Sequence, residues 1–174
     1  YLILSDDYVW EEDGKLHIEG GKETVIRCYP KLKDFSVLPD GFEACGLDHE
    51  FTLYRRREKA EDTRVTVTEG TVGEDSRIYN LKITSPETWR DTILSLDFGG
   101  DKIEIFRDGE MLTDSYYTGE PVQISLRYFD FPQELQVKIY PLKEDAPRFL
   151  ERWPQMKDGC ACELYGVGVK NLVW

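Results

Sequence analysis

The sequence predicts an all-β protein, a β-sandwich of the jelly-roll, galactose-binding-like type, with a small N-terminal β subdomain. Three observations carry that expectation. Apolar residues recur with a period of two along most of the chain. Asp-Gly and Gly-Gly pairs punctuate the alternating segments, and such pairs suit tight turns with positive φ. No long stretch shows a helical period, and many short strands at roughly even spacing point to a sandwich or barrel.

In chain order, the first clear strand is Glu23 to Tyr29, where Val25 and Cys28 mark a β-branched, half-apolar run. Phe51 to Arg55 follows, with Phe51, Leu53 and Arg55 on one face. Arg64 to Thr68 alternates cleanly, and Ile78 to Ile83 comes next. Thr92 to Phe98, Lys102 to Phe106, Val122 to Leu126 and Leu135 to Ile139 complete the middle of the chain. A last strand is expected over Cys162 to Val169, where Gly166 and Gly168 mark a bulge or a close backbone approach. Asp108-Gly109 lies between two apolar stretches, so Ile103 to Leu112 is the best hairpin in the sequence. Ala146 to Trp153, stopped by Pro154, is the one segment that suggests a turn or two of helix.

The 174 residues suffice for one domain, or one domain with a small β subdomain attached. The expected division is 1–60 for the N-terminal β unit, or the first strands of the sandwich, and 61–174 for the jelly roll. The charged run Arg55 to Asp62 reads equally as a linker or as a solvated strand end and loop. Tyr1 opens the chain and Leu172-Val173-Trp174 closes it, which suggests a piece cut from a longer polypeptide. Apolar runs are too short to span a bilayer as a helix.

The formal net charge of −12 opposes a nucleic-acid backbone and an anionic membrane, since both recruit Lys and Arg. It fits a neutral partner such as an uncharged sugar. Solubility alone explains it as well. The compartment stays open between cytoplasm and secretion.

Catalytic groupings are scarce. His17 falls on the outward face of an alternating segment, and His49 sits between Asp48 and Glu50 in an acidic loop without further ligands at a metal-binding spacing. Cys160 and Cys162 form a C-x-C too tight for a zinc knuckle, and read as two small half-buried thiols beside Cys28 and Cys45. No nucleophile elbow or phosphate loop is present. Asp97, Asp101, Asp108 and Asp114 lie around the central hairpin and could cage a structural Ca²⁺, although turn-forming and solvating roles account for them more simply. No other cofactor is expected.

Aromatics are the informative group. A sugar offers a C–H face and a rim of hydroxyls, so its site needs a flat ring with Asp, Asn or Arg beside it. Asp114, Tyr116 and Tyr117 have that chemistry at a strand end, and Arg148 and Trp153 supply it from the one irregular segment of comparable richness. Trp10 and Trp89 are further candidates. The plainer reading, that these rings pack a sandwich face and its edges, stands beside the first.

Residues 96–119 carry a longer pattern: Gly100-Asp101, the aromatic Phe106, Asp108-Gly109, Asp114, Tyr116-Tyr117 and Gly119. Gln123 to Phe129 and Ile139 to Pro147, with its Pro141-Leu142 and Asp145-Ala146-Pro147, follow in order. This succession resembles the C-terminal jelly-roll region of bacterial β-galactosidase-like glycoside hydrolases of the family-35 type, over roughly residues 76–174. The resemblance implies an accessory domain whose catalytic glutamates belong to an upstream (β/α)-barrel. No eightfold β/α pattern occurs here, and the chain is well short of the ~250 residues of such a barrel. The implied partners are a neutral carbohydrate or the upstream catalytic domain. A purely structural docking module is the alternative function, and a small stand-alone glycosidase with an acidic pair is the weakest.

Overall fold

A computed structural model describes residues 1–73 and 75–173. The fold is all-β, and the described residues contain no α-helix, only 3-10 turns at Phe35–Val37 and Arg127–Phe129. The chain divides into two compact units, one of Tyr1–Glu61, Glu87–Asp91 and Asn171–Trp174, the other of Asp62–Pro86 and Thr92–Lys170.

In the first unit β1 (Leu2–Ser5), β4 (Glu23–Tyr29), β6 (Phe51–Arg57) and β5 (Glu43–Asp48) form an antiparallel sheet in the order β1-β4-β6-β5. A hairpin of β2 (Tyr8–Glu12) and β3 (Lys15–Glu19) turns at Asp13-Gly14. Both turn residues have positive φ, 52° and 74°, which a two-residue turn matched to strand twist demands. Ile18, Ile26, Cys28, Leu32, Leu38, Phe42 and Tyr54 make this unit's core. The buried Tyr54 hydroxyl accepts a 3.0 Å hydrogen bond from the Leu32 N–H, so its one polar atom is satisfied.

The second unit is the β-sandwich. Its larger sheet runs β11-β10-β13-β8-β7, from β7 (Arg64–Val72), β8 (Arg77–Thr84), β10 (Lys102–Arg107), β11 (Glu110–Tyr116) and β13 (Glu134–Tyr140). Its smaller sheet runs β12-β9-β16, from β9 (Asp91–Gly99), β12 (Val122–Ser125) and β16 (Glu163–Leu172). A short ribbon pairs β14 (Leu142–Lys143) with β15 (Cys160–Ala161).

Period-two alternation accounts for the packing. Tyr79, Leu81 and Ile83 of β8, Ile103 and Ile105 of β10, and Leu135, Val137 and Ile139 of β13 face inward from the larger sheet. Leu94, Leu96 and Phe98 of β9 and Ile124 of β12 meet them from the smaller one. The intervening residues of the larger sheet, such as Asn80, Lys102, Glu104 and Gln136, therefore lie on its outer face. Asp108-Gly109 closes the β10–β11 hairpin with φ of 50° and 82°, where Arg107 pairs with Glu110.

Three expectations meet the structure differently. Ala146–Trp153 is not helical. Pro147 has no N–H to donate, and the backbone instead makes tight bonds from Ala146 N–H to Lys143 O (3.0 Å) and from Arg148 N–H to Ala146 O (2.7 Å). The six residues between Pro147 and Pro154 are also too few for a helix to support itself. The charged run from Arg55 begins inside β6, since Arg55–Arg57 pair with Val25–Glu23, and becomes a connecting loop from Glu58 onward. Gly168 lies where an added Cβ would stand 3.4 Å from Ser95 Cβ, a close approach of β16 to β9.

Candidate functional site

Strand register builds the site at one end of the larger sheet. Tyr116 closes β11 and lies opposite Lys102, which in turn lies opposite Tyr140 of β13. One step along, Asp114, Glu104 and Lys138 form the next cross-strand row. All six side chains share the outer face, because the residues between them face the core.

The rows are knitted by charge. Lys102 Nζ lies 2.8 Å from Asp114 Oδ2 and 2.9 Å from Glu104 Oε1. The Tyr140 hydroxyl donates to Glu104 Oε2 at 2.9 Å. Lys138 Nζ stands 4.8 Å from the Tyr140 ring centre. Asp114 and Glu104 hold the Lys102 ammonium well above the usual lysine range. Burial would raise the Glu104 carboxyl, but the bonds from Lys102 and Tyr140 outweigh it and keep the carboxyl below its ordinary value. Lys138 is raised, chiefly by its hydrogen bond with Tyr140.

Arg148 arrives from the irregular segment after β14. Its guanidinium carbon lies 5.3 Å from the Tyr116 ring centre, and its Nη2 sits 2.9 and 3.0 Å from the two Asp101 carboxylate oxygens. Lys102 Nζ is 6.0 Å from the same ring. Beside this ring is a cavity of about 180 Å³ whose wall includes Asp101, Tyr116, Tyr117, Arg148, Phe149 and Leu150. That is smaller than the ~300–1,000 Å³ of drug-sized pockets, so it admits one small ring or its edge.

Of the residues singled out from sequence, Tyr116, Tyr117 and Arg148 line this cavity. Asp114 stands on the same sheet face, one row away, held by Lys102. Trp153, 43% exposed, lies beyond Phe149 and Leu150 and does not line the cavity. The two tyrosines have opposite roles. Tyr116 is 57% exposed, while Tyr117 packs on the core, edge to face with Phe98 at 5.6 Å and 89°, where burial raises its phenol.

The other candidates go elsewhere. Trp10 stacks on His17 across the β2–β3 hairpin at 5.2 Å, and His17 lies 3.9 Å from Glu12. Trp89 is buried and donates from Nε1 to the Glu61 carbonyl at 2.8 Å. Of the four hairpin aspartates, Asp101 is taken by Arg148, Asp114 by Lys102, and Asp108 forms the turn. His49 Nδ1 sits 2.9 Å from Asp48, which also binds Arg27 Nε at 2.9 Å. Among the described residues, no three His, Cys, Asp or Glu side chains gather as metal ligands. All four cysteines are free thiols, Cys28 buried, Cys160 and Cys162 half-buried, Cys45 exposed.

Sequence reasoning missed Lys102, Glu104, Tyr140 and Phe149. The first two were legible: Lys102, Glu104 and Phe106 alternate with Ile103 and Ile105, so they had to share the outer face once the strand was recognised. Phe149 carries no such signal, being a 95% exposed ring on an irregular segment.

Comparison of the chain with protein-family models, curated proteins and solved structures finds no match.

Proposed function

We propose that this chain is a non-catalytic accessory β-sandwich that binds neutral carbohydrate at the Tyr116 site. One observation carries the reading: an exposed ring bracketed by a guanidinium and a carboxylate that already hold each other in place. The ring offers a face to sugar C–H groups. Arg148 and Asp101 offer a donor and an acceptor for hydroxyls without first having to be ordered. More narrowly, we place the module in a β-galactosidase-like glycoside hydrolase whose catalytic barrel is a separate part of the parent protein. Support for that step is the ordered pattern from Gly100-Asp101 through Asp145-Ala146-Pro147.

Isothermal titration against galactose, lactose and galactan fragments tests the binding. Heat is expected with at least one of them and is expected to fall in Tyr116→Ala. Silence with every sugar leaves the second reading, a docking module for the catalytic domain. The nearly fully exposed Phe149 favours that alternative, because so large a bare ring is a natural contact residue. The apolar run Leu172-Val173-Trp174 would also suit such docking, and its Trp174 lies outside the described residues. Thermal stabilisation on mixing with the catalytic region would support docking.

A further inference from the structure

We propose that a groove across the outer face of the larger sheet is a second carbohydrate subsite, one that takes an uncharged oligosaccharide lying across the strands. The inference rests on the sugar reading of Tyr116 and extends it to a different place.

The groove encloses about 440 Å³, within the ~300–1,000 Å³ range of ligand sites. Its floor is a cross-strand row. Thr68 of β7 pairs with Asn80 of β8, Asn80 with Gln136 of β13, and Gln136 with Phe106 of β10. A ladder of hydroxyl, amide, amide and aromatic ring is the combination a sugar needs: donors and acceptors for hydroxyls and one flat face for C–H groups. Gln136 Nε2 donates to Asn80 Oδ1 at 3.3 Å. That single bond fixes both amides, and it uses one of the four amide protons they carry between them. Both side chains are exposed. Gly70 keeps the β7 end open, since a Cβ there would stand 3.1 Å from Asn80 Nδ2.

Charge points to a neutral ligand. The chain carries −12, yet the adjoining row sets Glu134 directly opposite Lys82. The neighbouring row sets Glu104 opposite Lys138. Lys82 and Glu134 cancel across the strands and Asp108 leaves the lining one negative charge, so the groove repels anions and takes an uncharged ligand. Its length points to a chain of sugars: the row from β7 to β10 crosses three inter-strand gaps of about 4.8 Å, roughly 14 Å in all. Phe106 lies four residues along β10 from Lys102, about 13 Å away, so this platform is separate from Tyr116.

The ¹⁵N-labelled chain is titrated with galactotetraose, xylotetraose and cellotetraose, with tetragalacturonate as the charged control. The expected result is a shift of the Asn80 and Gln136 side-chain amide resonances with an uncharged tetrasaccharide and none with tetragalacturonate. The Asn80→Ala, Gln136→Ala double variant, changed only at exposed positions, is expected to lose at least ~10-fold in affinity for that tetrasaccharide. If Tyr116 and its neighbours shift while the two amides stay still, or the double variant binds unchanged, the groove is overturned and the Tyr116 reading survives. If the amides shift and Tyr116 does not, the groove stands and the Tyr116 reading falls. Stillness at both removes both.

Discussion

Replacing Phe98 with alanine tests the packing that holds the Tyr116–Tyr117 pair in its two orientations. Phe98 is 1% exposed at the end of β9 and meets Tyr117 edge to face. Removing a buried phenylalanine side chain costs about 3–5 kcal/mol, which already contains the transfer and cavity contributions. The edge-to-face contact accounts for about 0.5–1.5 kcal/mol beyond area, so the upper half of the range, ~4 kcal/mol, is expected. For a unit of about a hundred residues each kcal/mol moves Tm by ~4–8 °C, which puts the loss near ~15–30 °C. Tyr116→Ala is the control. Its ring is mostly in water, so its stability should stay within about 0.5 kcal/mol of the parent. Urea melts followed by circular dichroism give both values. A Phe98→Ala loss below ~1 kcal/mol, or one matched by Tyr116→Ala, would refute the assignment of Tyr117 to the core and Tyr116 to the surface.

Three further outcomes follow from the geometry. Glu104 is held below its ordinary pKa in the folded state, so its contribution is full above the unfolded carboxylate value and is lost as pH falls through the folded one. Lys102→Met should therefore flatten the fall in Tm between about pH 7 and about pH 3, and an unchanged acid slope would contradict the Lys102–Glu104 pairing. Gly109 has φ of +82° in the β10–β11 turn, so Gly109→Val should destabilise by ~1–2 kcal/mol in chemical melts, whereas Glu110→Gln at the neighbouring exposed position should not. Iodoacetamide should modify the exposed Cys45 first and the buried Cys28 last, with Cys162 slowed by the burial that raises its thiol; mass spectrometry of timed samples reads the order.

The all-β fold was legible because alternation in strands such as Lys102 to Phe106 and Leu135 to Ile139 is set by burial on one face, and one-sided burial is what a sequence records. Asp108-Gly109 was legible because few other residue pairs accept two positive φ values in succession. Edge strands were harder. Leu2–Ser5 and Glu43–Asp48 bury one side weakly, and their pattern fades into the flanking loops. The chemistry of Arg148 is legible in the sequence, but its placement over Tyr116 depends on the course of the segment after β14, where Pro147 and unrepeated backbone bonds decide. Tyr116 and Tyr117 read as one cluster in the sequence, but a strand sends adjacent residues to opposite faces. The outer-face ladder of Thr68, Asn80, Gln136 and Phe106 depends on register between strands far apart in sequence, which no local pattern encodes.

Native electrophoresis through a gel containing neutral galactan tests the central claim most directly. The chain carries −12 and migrates in the field, and reading its mobility against a non-binding reference protein in the same gel cancels sieving by the uncharged polysaccharide, so the remaining retardation is binding. Tyr116→Ala leaves that charge unchanged. The account predicts that the parent chain is retarded in the galactan gel relative to the reference and that Tyr116→Ala is retarded less. Equal mobility of the parent chain relative to the reference in galactan and plain gels, or equal retardation of parent and variant, would contradict it.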